Sequence, residues 1–379
     1  MPALYTRNIA LGLLLAIIIG GGMYVGSHTL RGDSLRGQLV GGPTAVCSTV
    51  ARAGYSGNSY GVSPSVAIGN DGLPVIAYDD TQLLANGNDI KVAKCSDANC
   101  STSTVSTVAT IPFYSTYNWV RDPSVGIGSD GLPVLSFDQQ TNGDDNVIKV
   151  VKCGNASCSA GNTTTEIATN KSTGSRLLIG SDGLPVIFFQ FADVATPAIV
   201  IPKVVKCGNA ACSAGNVTSV LPTGFPVSGT IIKGNDGLPV VAHYTGTSVA
   251  VTKCGNNLCT SGNVTTALEN IGSSTTNGLP GITIGNDGFP VVSYYSQAAS
   301  GLKVAKCGNA ACSAGNTLSL VTTYADYWAS TSIKIINSLP VISYYDSGTP
   351  KDLKIVRCGN AACSTGNVID TVDAPNDMG

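Results

Sequence analysis

The chain has 379 residues, enough for two or three ordinary domains, yet only 12% are charged and the net charge is −2. So weak a field excludes a protein that gathers nucleic acid by electrostatics, and the 43% hydrophobic content excludes a disordered chain. Two histidines, His28 and His243, are too few for a histidine-built metal site or a c-type haem, so no cofactor or metal is expected.

In chain order, the first predicted element is the uncharged run over residues 9–26 (IALGLLLAIIIGGGMYVG), preceded by Arg7. As a helix it spans about 27 Å, close to the hydrocarbon core of a bilayer. Export follows, with residues 1–27 either a transmembrane anchor or a cleaved signal peptide, Val25-Gly26-Ser27 offering small residues for cleavage. Residues 28–44 are polar and Gly-rich and read as a linker, with everything beyond them outside the cell.

Residues 45–379 carry six copies of one unit of about 50 residues. Each copy opens with a segment such as SVAIGNDGLPVIAYDD (65–80) and continues with one such as IKVAKCSDANC (90–100). The Asn/Ser-Asp-Gly step turns the chain, Pro begins a β-branched and aromatic strand, and K-V-x-K-C forms a third strand. A Thr/Val-rich fourth strand such as STVSTVATI (103–111) closes the unit. Four antiparallel strands per unit predict an all-β, six-bladed β-propeller with an N-terminal hydrophobic helix. Cys47-Ser-Thr-Val resembles a seventh fourth strand, so one terminal copy is expected to complete the opposite blade, as in ring closure by strand exchange.

Thirteen cysteines resolve into six C-x4-C pairs and Cys47. The pairs are Cys95/Cys100, Cys153/Cys158, Cys207/Cys212, Cys254/Cys259, Cys307/Cys312 and Cys358/Cys363. An intervening hairpin would bring each pair within disulfide reach, while six separate pairs cannot converge on tetrahedral zinc. Cys47 is left free or links two chains.

The D-G-x-P turn with V-x-S-Y-Y and L-K-V resembles repeats of exported bacterial β-propeller proteins, and more distantly the Asp-box hairpin of sialidase-like propellers. The resemblance covers about residues 60–372 and implies a blade, not a reaction. Sialidases use three arginines and a Tyr/Glu pair, whereas beyond the linker this chain has only Arg52, Arg121, Arg176 and Arg357. Arg357 falls in a column otherwise held by Lys94, Lys152, Lys206, Lys253 and Lys306, and reads as architectural.

Three further columns are candidates for function. The turn aspartates Asp71, Asp130, Asp182, Asp236 and Asp287, with Asn337 in the last unit, are expected to bond their own turns. A second lysine column (Lys91, Lys149, Lys203, Lys303, Lys354) is expected to lay its stems on the sheet and its charges in water. The aromatic column Tyr78, Phe137, Phe189, His243, Tyr294 and Tyr344 is expected in the core. At and just after it lie Tyr78, Asp79, Asp80, Asp138, Gln139, Gln190, Tyr244, Tyr295, Tyr345 and Asp346, opening into the most variable loop. Tyr with Asp or Gln offers a flat apolar face and polar edges, which suits a sugar.

No catalytic motif is present, and the expectation is a non-catalytic surface propeller that binds a glycan or a surface protein. A glycan-active hydrolase or lyase using Asp79, Asp138 and Asp346 is the alternative, and a self-assembling envelope protein is a second one. The membrane is a partner through residues 9–26 if these stay attached.

Overall fold

The computed structural model describes residues 59–372, apart from stretches within 83–87, 112–119, 142–145, 170–171, 193–199, 222–227, 273–277, 324–329 and 347–351, and a few short strands before them. It is a six-bladed β-propeller, each blade a four-stranded antiparallel sheet whose strands follow one another in the chain. Blade 1 comprises Ser59–Ile68, Pro74–Gln82, Asn88–Cys95 and Ser103–Ile111. Blade 2 comprises Val120–Ile127, Pro133–Gln140, Asn146–Lys152 and Thr163–Ala168. Blade 3 comprises Ser172–Ile179, Pro185–Ala192, Val200–Lys206 and Val217–Val220. Blade 4 comprises Gly229–Lys233, Pro239–Tyr244, Ser248–Lys253 and Val264–Asn270. Blade 5 comprises Gly281–Ile284, Pro290–Ser296, Gly301–Lys306 and Thr317–Thr323. Blade 6 comprises Thr331–Ile336, Leu339–Asp346, Asp352–Arg357 and Val368–Thr371.

Two expectations are corrected. Among the described residues no blade takes a strand from the opposite terminus: blade 6 ends in its own Val368–Thr371, and Val46–Cys47 pairs with Gly37–Gln38 instead. Local hairpins already supply every blade with four strands, so no borrowed strand is needed. The helix expected over residues 9–26 is also absent from the described residues. Leu11–Leu14 pairs with Ser27–Leu30, and Ile17–Ile19 with Gly22–Tyr24, as antiparallel strands. Three consecutive β-branched isoleucines beside three glycines carry little helix propensity. Among the described residues no helix is long and apolar enough to cross a membrane. The Cys47 side chain lies outside the described residues.

The core lies between blades. Second strands are buried on both faces, as their unbroken apolar pattern requires. Val75, Ala77 and Val92 of blade 1 pack on Leu135, Phe137 and Val151 of blade 2, and Val240, Ala242 and Tyr244 of blade 4 on Ile282, Val292 and Tyr294 of blade 5. The aromatic column is therefore core, His243 included. Burial holds its imidazole down to about 4, and its Nε2 lies 3.0 Å from Thr252 Oγ1.

First strands are the inner edge of each sheet, and an edge exposes unpaired N–H groups. Serines answer this between blades: Ser65 Oγ accepts from Val125 N–H at 3.1 Å and Ser124 Oγ from Leu177 N–H at 2.9 Å.

The end that carries the Asp-Gly turns is tied together twice. Within each turn the aspartate accepts from the backbone two residues on, as Asp71 Oδ1 does from Leu73 N–H at 3.0 Å. It also pairs with the lysine of the same blade, at 2.8 Å for Asp71–Lys94 and 2.6 Å for Asp287–Lys306. These carboxylates are nearly half exposed, so each pair contributes under about 1 kcal/mol. Blade 6 has Asn337-Ser338 in a two-residue turn, and its cation, Arg357, pairs with Asp370 on the fourth strand instead. Between blades, the residue before the aspartate reaches the next blade's turn: Ser181 Oγ donates to Gly237 O at 2.8 Å. A Cβ at Gly237 (φ +80°) would collide with that Ser181 Oγ, so glycine is required there for both conformation and space.

The third and fourth strands are joined by the disulfide hairpins, and all six expected bridges form. Cys95 bonds Cys100, Cys153 bonds Cys158 and Cys207 bonds Cys212 in blades 1 to 3. Cys254 bonds Cys259, Cys307 bonds Cys312 and Cys358 bonds Cys363 in blades 4 to 6. Their Cα separations are 4.7–4.8 Å, within ordinary disulfide reach. One feature differs from the plain hairpin that the spacing suggests. The second cysteine of every pair (Cys100, Cys158, Cys212, Cys259, Cys312 and Cys363) takes a left-handed backbone, with φ of 51–54°. Its N–H donates to the carbonyl three residues back, as Cys212 does to Asn209 O at 3.0 Å, so the loop is a tight turn that ends on that cysteine. A downstream asparagine clamps the loop in blades 2 to 6. Asn162 accepts from Gly154 N–H at 3.2 Å and donates to Cys158 O at 2.7 Å. Asn216 and Asn263 do the same, and so do Asn316 and Asn367.

Candidate functional site

Antiparallel strand order puts the Asp-Gly turns and disulfide hairpins at one end of the propeller. The second-to-third-strand loops and the links between blades fall at the other. The ten candidate residues sit at this second end, where second strands finish.

Strand alternation divides them between two faces. Asp79, Asp138, Gln190, Tyr244, Tyr295 and Tyr345 occupy one column, and Tyr78, Asp80, Gln139 and Asp346 lie on the opposite face. The first column points to the following blade: Tyr244 Oη accepts from Tyr295 N–H at 3.1 Å, and Asp138 reaches the first strand of blade 3. The second points to the preceding blade. Tyr294, in the same face as Tyr78, donates to Glu269 on the fourth strand of blade 4 at 2.6 Å. The candidates therefore line clefts between blades instead of forming one rim. Tyr78, Asp79, Asp80, Asp138, Gln190, Tyr244 and Tyr295 are buried, while Gln139, Tyr345 and Asp346 are half-buried. Tyr244 and Tyr295 are brought into direct contact with each other.

The acids here are held by structural partners. Asp80 pairs with Lys91, and Asp346 with Lys354 at 2.5 Å. Lys303 pairs with Glu269, and Lys203 stands 3.7 Å above the Phe191 ring. This lysine column is thus not a row of solvated charges. A half-buried ammonium beside a carboxylate or a ring is stabilised there instead.

One cluster escaped the sequence reading. Asp138 accepts from Gly174 N–H at 2.5 Å and Ser175 N–H at 3.0 Å. These amides belong to a bulge in the first strand of blade 3, where Gly174 has φ +71°. Arg176 lies 3.5 Å from Asp122, which sits at the matching bulge of blade 2 with φ +61°. Burial first, and the nearby Asp122 charge second, push the Asp138 carboxyl up to about 7. The sequence signal for Asp122 is Asp-Pro-Ser standing where blade 1 has Ser-Pro-Ser.

A pH dependence follows. The folded value near 7 exceeds the unfolded value of 3.8, so the favourable contribution of protonated Asp138 is complete below about pH 4 and lost as pH rises towards 7. Unfolding by denaturant at pH 5 and pH 7.5 is expected to show wild type losing stability relative to Asp138→Asn, by at most about 1.4 kcal/mol per pH unit. A difference that does not vary with pH contradicts this assignment.

Among the described residues, no group of three or more His, Cys, Asp or Glu is arranged to hold a metal ion. The fold has counterparts among solved structures. Two solved structures show the likeness: a protein of unknown function from Dyadobacter fermentans, with a TM-score of 0.51 and 13% identity over 77% of this chain and 92% of that one, and the Hadza microbial sialidase Hz136, with a TM-score of 0.51 and 12% identity over 76% of this chain and 66% of that one. At such identity the likeness concerns the fold. No protein-family model and no curated protein sequence matches the chain.

Proposed function

We propose that this chain is a non-catalytic, extracellular propeller that binds a glycan at the end where its second strands finish. The observation that carries the reading is the commitment of the acids at that end: Asp80 and Asp346 to lysines, Asp138 to two backbone amides of the next blade. A hydrolase needs carboxyls free to exchange protons with a substrate, whereas recognition of a sugar needs aromatic faces and polar edges. Tyr345 and Gln139 supply these at half-buried positions on blades 6 and 2. Six disulfides suit an oxidising, extracellular setting.

The test is a glycan array probed with the full chain in mild detergent. Binding to a defined glycan class is expected, weakened about tenfold, or 1.4 kcal/mol, by Tyr345→Ala. Absence of any glycan signal, with capture of a surface protein instead, overturns the sugar reading.

A second reading, a glycan-active hydrolase, is favoured by the raised Asp138 carboxyl beside Asp122 and Arg176. A carboxyl raised by burial, with a second acid close by, is a feature that acid–base catalysis uses. Turnover of a polysaccharide panel that disappears in Asp138→Asn would establish it, and no turnover removes it.

A further inference from the structure

The fourth strand is the last in every sheet, so one row of its backbone N–H and C=O groups has no partner strand among the described residues. Such edges are usually protected by lysine, proline or inward-pointing charge. Here the six fourth strands contain no lysine, arginine or proline. Their three acids are Glu166, Glu269 and Asp370. Glu269 is held by Tyr294 and Lys303, and Asp370 by Arg357.

The same strands collect the exposed apolar side chains. Of the ten large hydrophobic residues exposed among the described residues, eight lie on fourth strands, including Val220 at 58%, Val368 at 51% and Leu320 at 48%. Elsewhere in the blades only Ile68 and Leu258 are comparably exposed among the described residues, so this is a feature of the periphery and not a general surface property. Singly exposed aliphatics need no explanation; a set concentrated on edges that lack a partner strand and carry no cation does.

We propose that the outer edges of the blades pair, strand against strand, with the outer edges of a second copy of this chain. The occupant follows from what the edge offers. Its side chains are mostly threonine, serine, valine and leucine, which pair well with their own kind across an antiparallel ladder. Two copies meet with little like-charge repulsion, because Glu269 and Asp370 are paired within their own chain and Glu166 is the one remaining acid on the six edges, whereas a charged foreign strand would place unpaired charges beside aliphatic groups. Each blade repeats the edge, so a copy rotated about a two-fold axis presents a matching one. The result is a laterally associating disc, whose ligand end is left open because the paired edges lie at its rim. This inference does not depend on the glycan reading.

The test is sedimentation of the full chain in mild non-ionic detergent, which occupies the N-terminal hydrophobic segment, over about a hundredfold range of concentration. Wild type is expected to at least double its mass across the range. A variant carrying Val105→Lys, Val220→Lys, Val264→Lys, Leu320→Lys and Val368→Lys is expected to stay monomeric, and each single lysine to weaken association up to about tenfold. If the combined variant fails to form its six disulfides, the single substitutions decide. A wild type that is monomeric throughout overturns the proposal, and so does association that the lysines leave unchanged.

Discussion

Titrated with a thiol reagent in denaturant without reductant, the protein is expected to expose no more than one of its thirteen cysteines, Cys47, and all thirteen after reduction. The six hairpin disulfides each close a loop of a few residues, and by the chain-entropy argument each contributes about 2 kcal/mol. Together they are comparable to the whole net stability of an ordinary domain, which is about 5–15 kcal/mol. Each is also wired into its blade: Cys153 N–H donates to Pro133 O at 2.9 Å, and the same bond recurs from Cys207, Cys254, Cys307 and Cys358. Through these bonds Cys158, Cys212, Cys259, Cys312 and Cys363 are tied, one bridge away, to the start of a second strand, where the core begins. Reduction is accordingly expected to lower the denaturant midpoint of the entire propeller, not of one blade. About twelve reactive thiols in unreduced protein would contradict this.

Replacing Gly208 by alanine is expected to cost about 3 kcal/mol, at the upper end of what overpacking usually costs. A Cβ there would lie 2.5 Å from Ala214 O and 2.6 Å from the Gly215 carbonyl, all backbone atoms that cannot swing aside. The equivalent glycines of blades 2, 4, 5 and 6 face the same obstacle. Blade 1 provides the control. It has Ser96 at this position, its hairpin is shorter, and Ser96 N–H bonds Thr102 O at 3.0 Å where the other blades cross glycine on glycine. Ser96→Ala keeps that backbone bond and removes the exposed Ser96 Oγ bond to Thr102 O (3.0 Å), so it should cost less than about 1.5 kcal/mol, the net worth of an ordinary hydrogen bond. Denaturant unfolding of the two variants checks the contrast, and equal costs would contradict it.

Much of the blade is legible in the residues because its determinants are local. The Asn/Ser-Asp-Gly-x-Pro step specifies a turn and a strand start within five residues. The C-x4-C spacing specifies a stapled hairpin, and the two-sided apolar second strand specifies burial on both faces. The spacing does not reveal that Cys100 and its five counterparts take a positive φ, because that depends on how the turn closes. Features made by the meeting of two blades are not legible either. Asp138 looks like a loop-rim acid in its own strand, and its real partners, Gly174 and Ser175, lie 36 and 37 residues on. The alternation that separates Tyr78 and Asp80 from Asp79 is visible in sequence, but which blade each face meets is not. Asp122 matters through a positive φ at a bulge, and only its place against Arg176 shows its charge acting on Asp138. Lys203 finds a phenylalanine ring where Lys91 finds an aspartate, so one column of identical residues has several roles. The N-terminal run gives a helix by hydropathy alone, although its isoleucines and glycines are poor helix formers.

Blades of contiguous strands, buried at their faces and open at their outer edges, are the claim on which the functional readings stand. Amide hydrogen exchange resolved by peptide tests it most directly. Second and third strands of all six blades are predicted to exchange slowly and to a similar extent, with the fourth strands markedly faster at low protein concentration. Slow exchange in only some blades, or fourth strands as protected as second strands in the monomer, would contradict it.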